Sequence, residues 1–341
     1  MTVLAIESSC DETSVAIIKD DELKVNLISS QDFHSRFGGV VPELSSRAHL
    51  QILNPLVKNA LKKAGINLND VDIFAATAGP GLVGALLVGL TYSKGLAFAL
   101  KKEFVPVNHI EGHIYSGFLM KEKPEFPALV LVVSGGHTLL LLVESQKKII
   151  KLGSTVDDAV GEAFDKVAKM LGLGYPGGPK IQKAAENGLN NEIIFPVAEL
   201  KNAYDFSFSG LKTAVLRFIQ KNFNTGSEIP GNMVEKISYS FQEAAVRALI
   251  LYTERALKQF NVNSISVVGG VAANQNIRRK FNELSNLYNK KLVIPDLIYC
   301  GDNAAMIAYR AQKLFENGNR FNLDISPYPA LPDNYFLPAA S

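Results

Sequence analysis

The chain has few cysteines and no long apolar run. Its two cysteines, Cys10 and Cys300, are too few for a disulfide framework, which excludes the small disulfide-stabilised secreted proteins and suits a reducing cytosol. No apolar run crosses the thickness of a bilayer without interruption by polar residues. The first residues carry an acid, Glu7, where a signal peptide would stay apolar. These deficits favour a cytoplasmic protein without a membrane anchor.

The chain also lacks an excess of charge of either sign. Its 35 basic and 33 acidic residues give a net charge of +2, whereas proteins that bind nucleic acid unaided usually show a stronger basic excess. A nucleic-acid partner would therefore require a helper protein or a local basic patch. The length of 341 residues exceeds the size of one ordinary core, so the sequence predicts two lobes.

Two of only five histidines, His109 and His113, are four residues apart. On a helix their side chains differ by about 40° in direction and about 6 Å along the axis, so both reach one metal ion. The alternative is a helix whose histidines only satisfy local hydrogen bonds. Ile110 occupies the position of the general-base glutamate in the HExxH helix of zinc proteases. Asp302, at the start of the last predicted helix, is either an N-cap or the missing oxygen ligand.

The order of predicted elements appears twice, as three short strands, a helix, a strand, a glycine turn and a helix. The predicted elements of the first half are strands 3–7, 14–19 and 23–29, helix 42–64, strand 71–77, helix 83–100 and strand 104–107. Those of the second half are strands 128–133, 138–143 and 148–152, helix 156–171 and strand 264–268. Two such α/β lobes are the plan of the actin, hexokinase and Hsp70-type proteins, whose ligands lie in a cleft between the lobes. A single doubly wound sheet is the alternative, disfavoured by the paired meanders.

We predict an amino-terminal lobe over 1–125, a carboxy-terminal lobe over 126–300, and a metal-ligand turn with a terminal helix over 301–341, returning toward the first lobe.

Ser134, Gly135 and Gly136 lie between two strands, as a glycine-requiring hairpin turn or as a phosphate cradle. Asp165 is placed to accept hydrogen bonds from a ribose. The segment 172–179 is predicted to be a loop whose glycines, including Gly178, a ligand approaches closely. Asn274, after a strand-to-helix glycine turn, is suited to reading a polar edge of adenosine.

Nine ordered motifs together resemble one family. They are IESSCDETS, HSRFGGVVPELSSRAH, NHIEGHIYSG, VVSGGHT, DDAVGEAFDKVAK, YPGGP, FSFSGLKTA, GGVAAN and GDNAAMIA. From residue 4 to about residue 327 the chain resembles the tRNA adenosine threonylcarbamoyltransferases, formerly described as O-sialoglycoprotein endopeptidases, and the bacterial branch most closely. Its departures from the family pattern, Ser45 and Gly174, fall on no assigned ligand.

The resemblance implies an actin-like, Hsp70-like fold of two RNase H-like lobes with an interlobe cleft. It implies transfer of the threonylcarbamoyl group from threonylcarbamoyl-AMP to the exocyclic amine of the adenosine beside the anticodon in tRNAs reading ANN codons, with release of AMP. It places the ligands of one divalent ion, Fe(II) or Zn(II), on His109, His113 and Asp302. It places substrate contacts on Val132, Val133, Ser134, Gly135, Gly136, Asp165, Gly178 and Asn274. The implied partners are tRNA, a shorter actin-like paralogue and a small ATPase.

Asp11, in the first hairpin turn, is our candidate for accepting the amine proton, with Glu12 as its rival. Two other activities remain alternatives. A metal-dependent glycopeptidase needs a water activated by a glutamate beside the metal, and the HExxH pattern is missing. A small-molecule kinase of the same fold needs an acidic Mg²⁺ site, whereas two histidines and a carboxylate suit a softer ion. A non-catalytic paralogue of the family is disfavoured, because such partners lack the histidine pair.

Overall fold

The structure, a computed structural model, describes residues 1–188, 193–224, 228–332 and 334–338. The chain forms two compact units. The first consists of Met1–Lys121 and Leu297–Tyr335, and the second of Glu122–Asp296 and a short segment that begins at Phe336. Each unit has its own mixed β-sheet. This confirms the predicted two-lobed α/β class and excludes a single doubly wound sheet.

The first unit begins with an antiparallel meander and continues with alternating helices and strands. Its elements up to the end of the first segment are β1 (Thr2–Glu7), β2 (Glu12–Lys19), β3 (Glu22–Ser30), α1 (Pro42–Ala64), β4 (Ile73–Gly79), α2 (Val83–Leu100), β5 (Glu103–Asn108) and α3 (His109–Ser116). The strand order is β3-β2-β1-β4-β5, and β1, β4 and β5 are parallel. The carboxyl ends of these three strands therefore meet at one edge, where Glu7 ends β1 and Asn108 ends β5.

The second unit repeats the meander. Its elements are β6 (Ala128–Val133), β7 (Thr138–Ser145), β8 (Lys148–Ser154), α4 (Val160–Met170), α5 (Gly177–Ala185), α6 (Ser209–Asn222), α7 (Gly231–Gln259), β9 (Ser264–Val268), α8 (Gln275–Leu287) and β10 (Lys291–Val293). The chain then returns to the first unit for α9 (Leu297–Cys300) and α10 (Ala304–Glu316), and β11 (Leu337–Pro338) pairs with β8. The strand order of the second sheet is β10-β9-β6-β7-β8-β11.

The core of the first unit lies on both faces of its sheet. Side chains alternate along β1, so Leu4 and Ile6 pack with α1 and α2 on one face, whereas Val3 and Ala5 pack with α10 on the other. Because α10 lies more than 280 residues after β1 in the sequence, pattern analysis of the first segment alone does not reveal this second layer. It brings Asp302, two residues before α10, to the first unit.

Two predicted boundaries in the second unit are wrong. Helix α4 begins at Val160, four residues later than predicted, because Thr155 forms a β-bridge with Phe206 and the Val156 amide donates to the Phe206 carbonyl (2.9 Å). Helix α5 begins at Gly177, inside the segment predicted to be a loop. Pro179 is its third residue, where a helix leaves the backbone N–H unpaired, so proline is tolerated there.

The described residues contain one helix that is long and apolar enough to cross a membrane, α2. A single such helix is weak evidence for a span, since core helices of other proteins pass the same test. One face of α2 packs on the sheet through Leu86, Leu90 and Ala97. Only 33% of the residues of α2 are buried, so this helix also presents apolar side chains at the surface.

Candidate metal centre and substrate-binding residues

Helix α3 starts at the first predicted metal ligand. The Asn108 side chain caps it by accepting a hydrogen bond from the Glu111 amide (3.0 Å), which fixes His109 as the first helical residue. The rings of His109 and His113 then lie on the same face, with centroids 4.7 Å apart. Both side chains are buried.

Asp302 completes the predicted trio. Its Oδ1 lies 3.1 Å from Nε2 of His113 and 3.5 Å from Nε2 of His109. The donor atoms of the three residues lie within 4.8 Å of one another. The capping explanation for Asp302 is wrong, because Asn303 is the N-cap of α10 and accepts a hydrogen bond from the Met306 amide (3.1 Å). The structure therefore brings together all three residues expected to bind a metal.

Glu7 is a fourth member of this cluster and was missed by sequence reasoning. Its fully buried carboxylate lies 3.1 Å from Nδ1 of His109 and accepts hydrogen bonds from the Thr77 hydroxyl (2.5 Å) and the Ser9 amide (2.6 Å). An acid that ends an otherwise apolar strand, VLAIE, was the available signal. A carboxylate that binds Nδ1 leaves Nε2, on the side of Asp302, as the nitrogen that a metal would bind, an arrangement typical of metal-binding histidines.

The charges of this cluster favour a cation. Burial works against a charge on His109, but Asp302 and Glu7 together raise its pKa to about 9. Burial likewise opposes ionisation of Glu7, yet the charge of His109 keeps the pKa of that carboxyl below its usual value. Nδ1 of His113 is buried without a hydrogen-bond partner among the described residues. The two imidazoles, through the Nε2 atoms that face Asp302, and the nearby carboxylates fit a divalent metal ion.

The two candidate proton acceptors lie beside the cluster. Asp11 is in the turn after β1, and Glu12 is the first residue of β2. Burial, followed by the charges of Asp302 and Asp11, raises the pKa of Glu12 well above that of an ordinary carboxyl. Glu12 therefore holds a proton at neutral pH unless a cation compensates, which argues against Glu12 as the proton acceptor.

Glu111 points away from the metal ligands. Its carboxylate pairs with Arg310 (2.5 Å) and accepts a hydrogen bond from the Tyr335 hydroxyl (2.8 Å). It is therefore engaged on another side of α3 and does not supply the general base that the peptidase alternative requires.

The predicted substrate contacts lie in the second unit. Val132 and Val133 are buried at the end of β6, followed by the turn of Ser134, Gly135 and Gly136. Neither glycine has a positive φ, so the alternative of a glycine-requiring hairpin turn, of type I′ or II′, is wrong. A Cβ at either glycine would meet nothing within 4 Å, and their amides donate no hydrogen bond to the described residues. The absence of side chains at these glycines is not needed for the turn, but it leaves their backbone amides accessible. Accessible amides are what a phosphate-binding turn requires.

Close contacts join this turn to α4 and α4 to α5. The Gly161 amide donates to the Ser134 carbonyl (3.3 Å), and a Cβ on Gly161 would lie 2.5 Å from that oxygen. Further along α4, the Asp165 carboxylate accepts a hydrogen bond from the Gly177 amide (2.6 Å). Gly178 follows in the first turn of α5, with open space where its Cβ would be.

Asn274 has a structural role that was not predicted. Its side-chain oxygen Oδ1 caps α8 by accepting hydrogen bonds from the backbone amides of Asn276 (2.9 Å) and Ile277 (3.1 Å). Its side-chain Nδ2 donates to Oε1 of Gln242 (2.8 Å). Contact of Asn274 with adenosine stays a prediction.

Residues 22–309 match the family model described as TsaD, tRNA N6-adenosine threonylcarbamoyltransferase. Similar proteins with that name include one from Thermosipho africanus, 49% identical over 97% of this chain and 99% of the relative, and one from Kosmotoga olearia, 48% identical over 97% and 98%. Among solved structures, T. kodakarensis HypF is 15% identical with a TM-score of 0.63, covering 93% of this chain and 48% of that chain. Component A of the Acidaminococcus fermentans (R)-2-hydroxyglutaryl-CoA dehydratase is 15% identical with a TM-score of 0.54, covering 92% and 98%. These two structures support the fold alone.

Proposed function

The chain belongs to the tRNA N6-adenosine threonylcarbamoyltransferase family, and we propose a specific role for its residues in that reaction. The protein is a transferase that places a threonylcarbamoyl group on N6 of a tRNA adenosine. The donor we propose is threonylcarbamoyl-AMP, and the acceptor is the adenosine beside the anticodon in tRNAs reading ANN codons. The observation that supports this most is the cluster of the buried His109 and His113 with the half-buried Asp302 in a chain of this family.

The transfer exchanges one bond for another. A bond forms between N6 of the adenosine and the carbamoyl carbon, and the carbon–oxygen bond to the phosphate breaks. AMP leaves with that electron pair, so the donor already has a good leaving group and no covalent enzyme intermediate is needed. The task of the protein is to hold the two reactants, stabilise developing charge and accept the N6 proton.

The first unit supplies the metal ligands and the proton acceptor in this proposal. His109, His113 and Asp302 bind a divalent ion, which supplies a Lewis acid and a fixed positive charge. Two histidines and one carboxylate with open positions suit Fe(II), and Zn(II) is the alternative. Asp11 accepts the proton that N6 loses.

The second unit supplies the donor contacts. The exposed amides of Gly135 and Gly136, with the Ser134 hydroxyl, bind the phosphate of the adenylate. Val132 and Val133 hold this turn at the end of β6, and Gly178 lets the ligand approach the first turn of α5. Asp165 and Asn274 contact the ribose and the adenine.

A single-turnover assay tests these roles. Purified protein, the proposed paralogue and ATPase, preformed threonylcarbamoyl-AMP and unmodified tRNA are mixed, and threonylcarbamoyladenosine is measured by mass spectrometry after digestion. We expect His109→Ala to abolish product formation and Asp11→Asn to slow it by about 100-fold or more. Tyr288→Phe, a change in the second unit away from the assigned residues, is the control. Unchanged transfer by Asp11→Asn would exclude Asp11 as the proton acceptor, and unchanged transfer by His109→Ala would exclude the metal centre.

We propose that α1 and α2 bind a shorter actin-like paralogue. Leu50, Leu87 and Phe98 are exposed on these helices, with Phe98 at 75%. A groove of about 400 Å³ lies between the helices and is lined by Leu50, Leu53, Asn54, Leu87, Val88, Thr91 and Tyr92. Exposed apolar patches of this kind mark protein interfaces. The other partners in this proposal are tRNA and a small ATPase, and the location is the cytoplasm, where tRNA is available.

Sedimentation of the two purified subunits tests this face. We expect Leu87→Glu and Phe98→Glu to abolish the heterodimer while leaving the fold of this chain intact, since both side chains already face solvent. Leu287→Glu is the control, because Leu287 is equally exposed but lies on α8 of the second unit. A heterodimer that survives both changes would refute the proposed face.

A further inference from the structure

The last part of the first unit crosses the edge of its sheet and touches α3. We call residues 319–332, 334 and 335 the C-terminal strap. Leu323, Ile325 and Tyr328 pack on the core that also contains α1 and α2. Lys94 on α2 donates to the Ile325 carbonyl (3.0 Å), and the Tyr328 amide donates to the carbonyl of Ala78 at the end of β4 (3.0 Å). The strap is therefore bound along its length to the sheet and helices that surround the metal centre.

Two tyrosines of the strap bind polar side chains of the helix that carries both histidines. The Asn108 amide donates to the Tyr328 hydroxyl (2.9 Å), and the same Asn108 side chain caps α3. The Tyr335 hydroxyl donates to Glu111 (2.8 Å). The strap thus contacts α3 immediately before its first metal ligand and midway between its two metal ligands.

A buried cation completes this network. Arg310 of α10 is 4% exposed, pairs with Glu111 and lies 4.3 Å from the centroid of the Tyr115 ring. Burying a carboxylate and a guanidinium is costly, and both ions need well-directed partners to offset the lost hydration. The pair therefore has one strongly preferred geometry. It joins α10 to α3 at Glu111, which is two positions from His109 and two from His113.

The length of α3 makes such support necessary. A helix of eight residues is marginal on its own, because few hydrogen bonds offset the entropy of its backbone. A small rotation of α3 about its axis would move both imidazoles away from Asp302. Packing fixes this rotation in part, since all eight residues of α3 are buried, and the polar contacts of Asn108 at its start and of Glu111 on another side add directional constraints.

We propose that Tyr328 and Tyr335 of the strap, with Arg310, are positioning residues that hold α3 in the orientation at which His109 and His113 bind a divalent metal ion. This inference rests on the metal centre of the proposed function. It assigns a role in metal binding to three residues outside the ligand set.

Binding of Co(II) to the metal-free full chain tests the inference by a readout other than activity. We expect Tyr335→Phe and Tyr328→Phe each to weaken Co(II) binding by about tenfold, the lower end of the range for outer contacts of a metal site. We also expect both to change the d–d absorption of bound Co(II), because the two imidazoles move relative to Asp302. Each substitution removes one hydroxyl and keeps the ring, so the chain retains its packing.

The matched control is Tyr288→Phe. The Tyr288 hydroxyl also donates to a carboxylate, that of Glu254 (2.7 Å), but in the second unit. It should lower the thermal stability of the metal-free protein about as much as Tyr335→Phe and leave the Co(II) affinity and spectrum unchanged. A second comparison uses Arg310→Met with Glu111→Gln in one chain, which removes both buried charges together and is expected to weaken Co(II) binding more than either tyrosine variant.

Co(II) affinities and spectra equal to those of the wild type in both strap variants would overturn the proposal. Wild-type chain that binds no Co(II) would overturn it as well, together with the metal centre. If the wild type binds Co(II) and the strap variants weaken it, but no threonylcarbamoyladenosine forms in the single-turnover assay, the strap inference stands and the proposed function fails.

Discussion

The ring of His109 is held between two carboxylates, and the one that binds its Nδ1, at 3.1 Å, is Glu7. Glu7 is fully buried in the last position of β1, while His109 is the first residue after β5. Parallel pairing of β1 and β5 with β4 places the two residues at the same edge of the sheet. The contact therefore follows from the strand order of the first unit.

Replacing Glu7 with glutamine tests this contact. Glu7→Gln keeps the size of the side chain but removes the charge that favours the Nδ1–H tautomer of His109. We expect metal affinity, measured by competition with a chelator, to fall by about 10- to 100-fold. Glu254→Gln, which changes a carboxylate of the second unit, should leave the affinity unchanged. Equal affinities of Glu7→Gln and wild type would show that Glu7 does not orient the ring.

Adjacent residues before α10 have separable roles. Asp302→Asn should remove most metal binding. It should have little effect on folding, because the neighbouring residue Asn303, and not Asp302, caps α10. Asn303→Ala removes the cap and should lower the free energy of unfolding by about 1–2 kcal/mol. Asn303→Asp retains a capping oxygen and is the control. Chemical denaturation and a metal titration on the same three variants check both effects; metal binding by Asp302→Asn at the wild-type level would contradict the assignment.

A substitution at Gly178 tests whether this glycine is needed for ligand binding or for the fold. No atom lies within 4 Å of the position that its Cβ would occupy, and alanine is a better helix former than glycine. Gly178→Ala should therefore leave the free energy of unfolding unchanged or raise it by up to about 1 kcal/mol, while weakening the affinity for a nonreactive adenylate analogue. The analogue is titrated by calorimetry. Unchanged affinity would remove Gly178 from the donor site.

Gly161→Ala is the contrasting variant. The added Cβ would lie 2.5 Å from the Ser134 carbonyl oxygen and 2.8 Å from Cα of Gly135, so the turn that we propose to bind phosphate must shift. We expect both the free energy of unfolding and the affinity for the analogue to decrease. A variant with wild-type affinity would show that the position of this turn is not important for donor binding.

The charge cluster of Asp158 makes the stability of the second unit depend on pH. Burial favours the neutral carboxyl, but hydrogen bonds from Lys166 (2.8 Å) and Lys212 (2.6 Å) outweigh it and lower the pKa of Asp158. In the unfolded chain the carboxyl titrates near its ordinary value of about 3.9. Because the folded pKa is the lower one, this stabilisation is complete above about pH 4 and is lost as the pH falls through the folded pKa.

Asp158→Asn should thus lower the free energy of unfolding at pH 7 by roughly 1–3 kcal/mol, the usual range for charge-assisted hydrogen bonds. The difference from wild type should shrink when denaturation is repeated below pH 3. Glu283→Gln changes an exposed ion pair and should have no measurable effect at either pH. A difference that does not depend on pH would show that packing, and not ionisation, is responsible.

Local signals predicted much of the fold. Helix α1 runs from Pro42 to Ala64 as predicted, because Pro42 suits a first helical turn and Gly65 adopts the left-handed conformation that ends it. Strands β6 and β9 also have the predicted ends. Apolar runs between turn residues are sufficient to find such strands.

Features that depend on distant residues were not predicted from local pattern. The late start of α4 follows from the bond between Val156 and Phe206, fifty residues apart. The histidine pair was visible from spacing alone. The local pattern left Asp302 open between an N-cap and a metal ligand, and the structure excludes the cap because Asn303 fills that role. The place of Glu7 beside His109 depends on parallel strand pairing, which side-chain periodicity does not specify.

The first unit is interrupted in the sequence by the whole of the second. His109 and His113, two of the proposed metal ligands, are synthesised early. Asp302 and α10, the helix that covers one face of the first sheet, are synthesised only after residues 122–296. During translation one face of the first sheet therefore stays uncovered until α10 has been synthesised. The three proposed metal ligands can therefore come together only in chains whose synthesis is nearly finished.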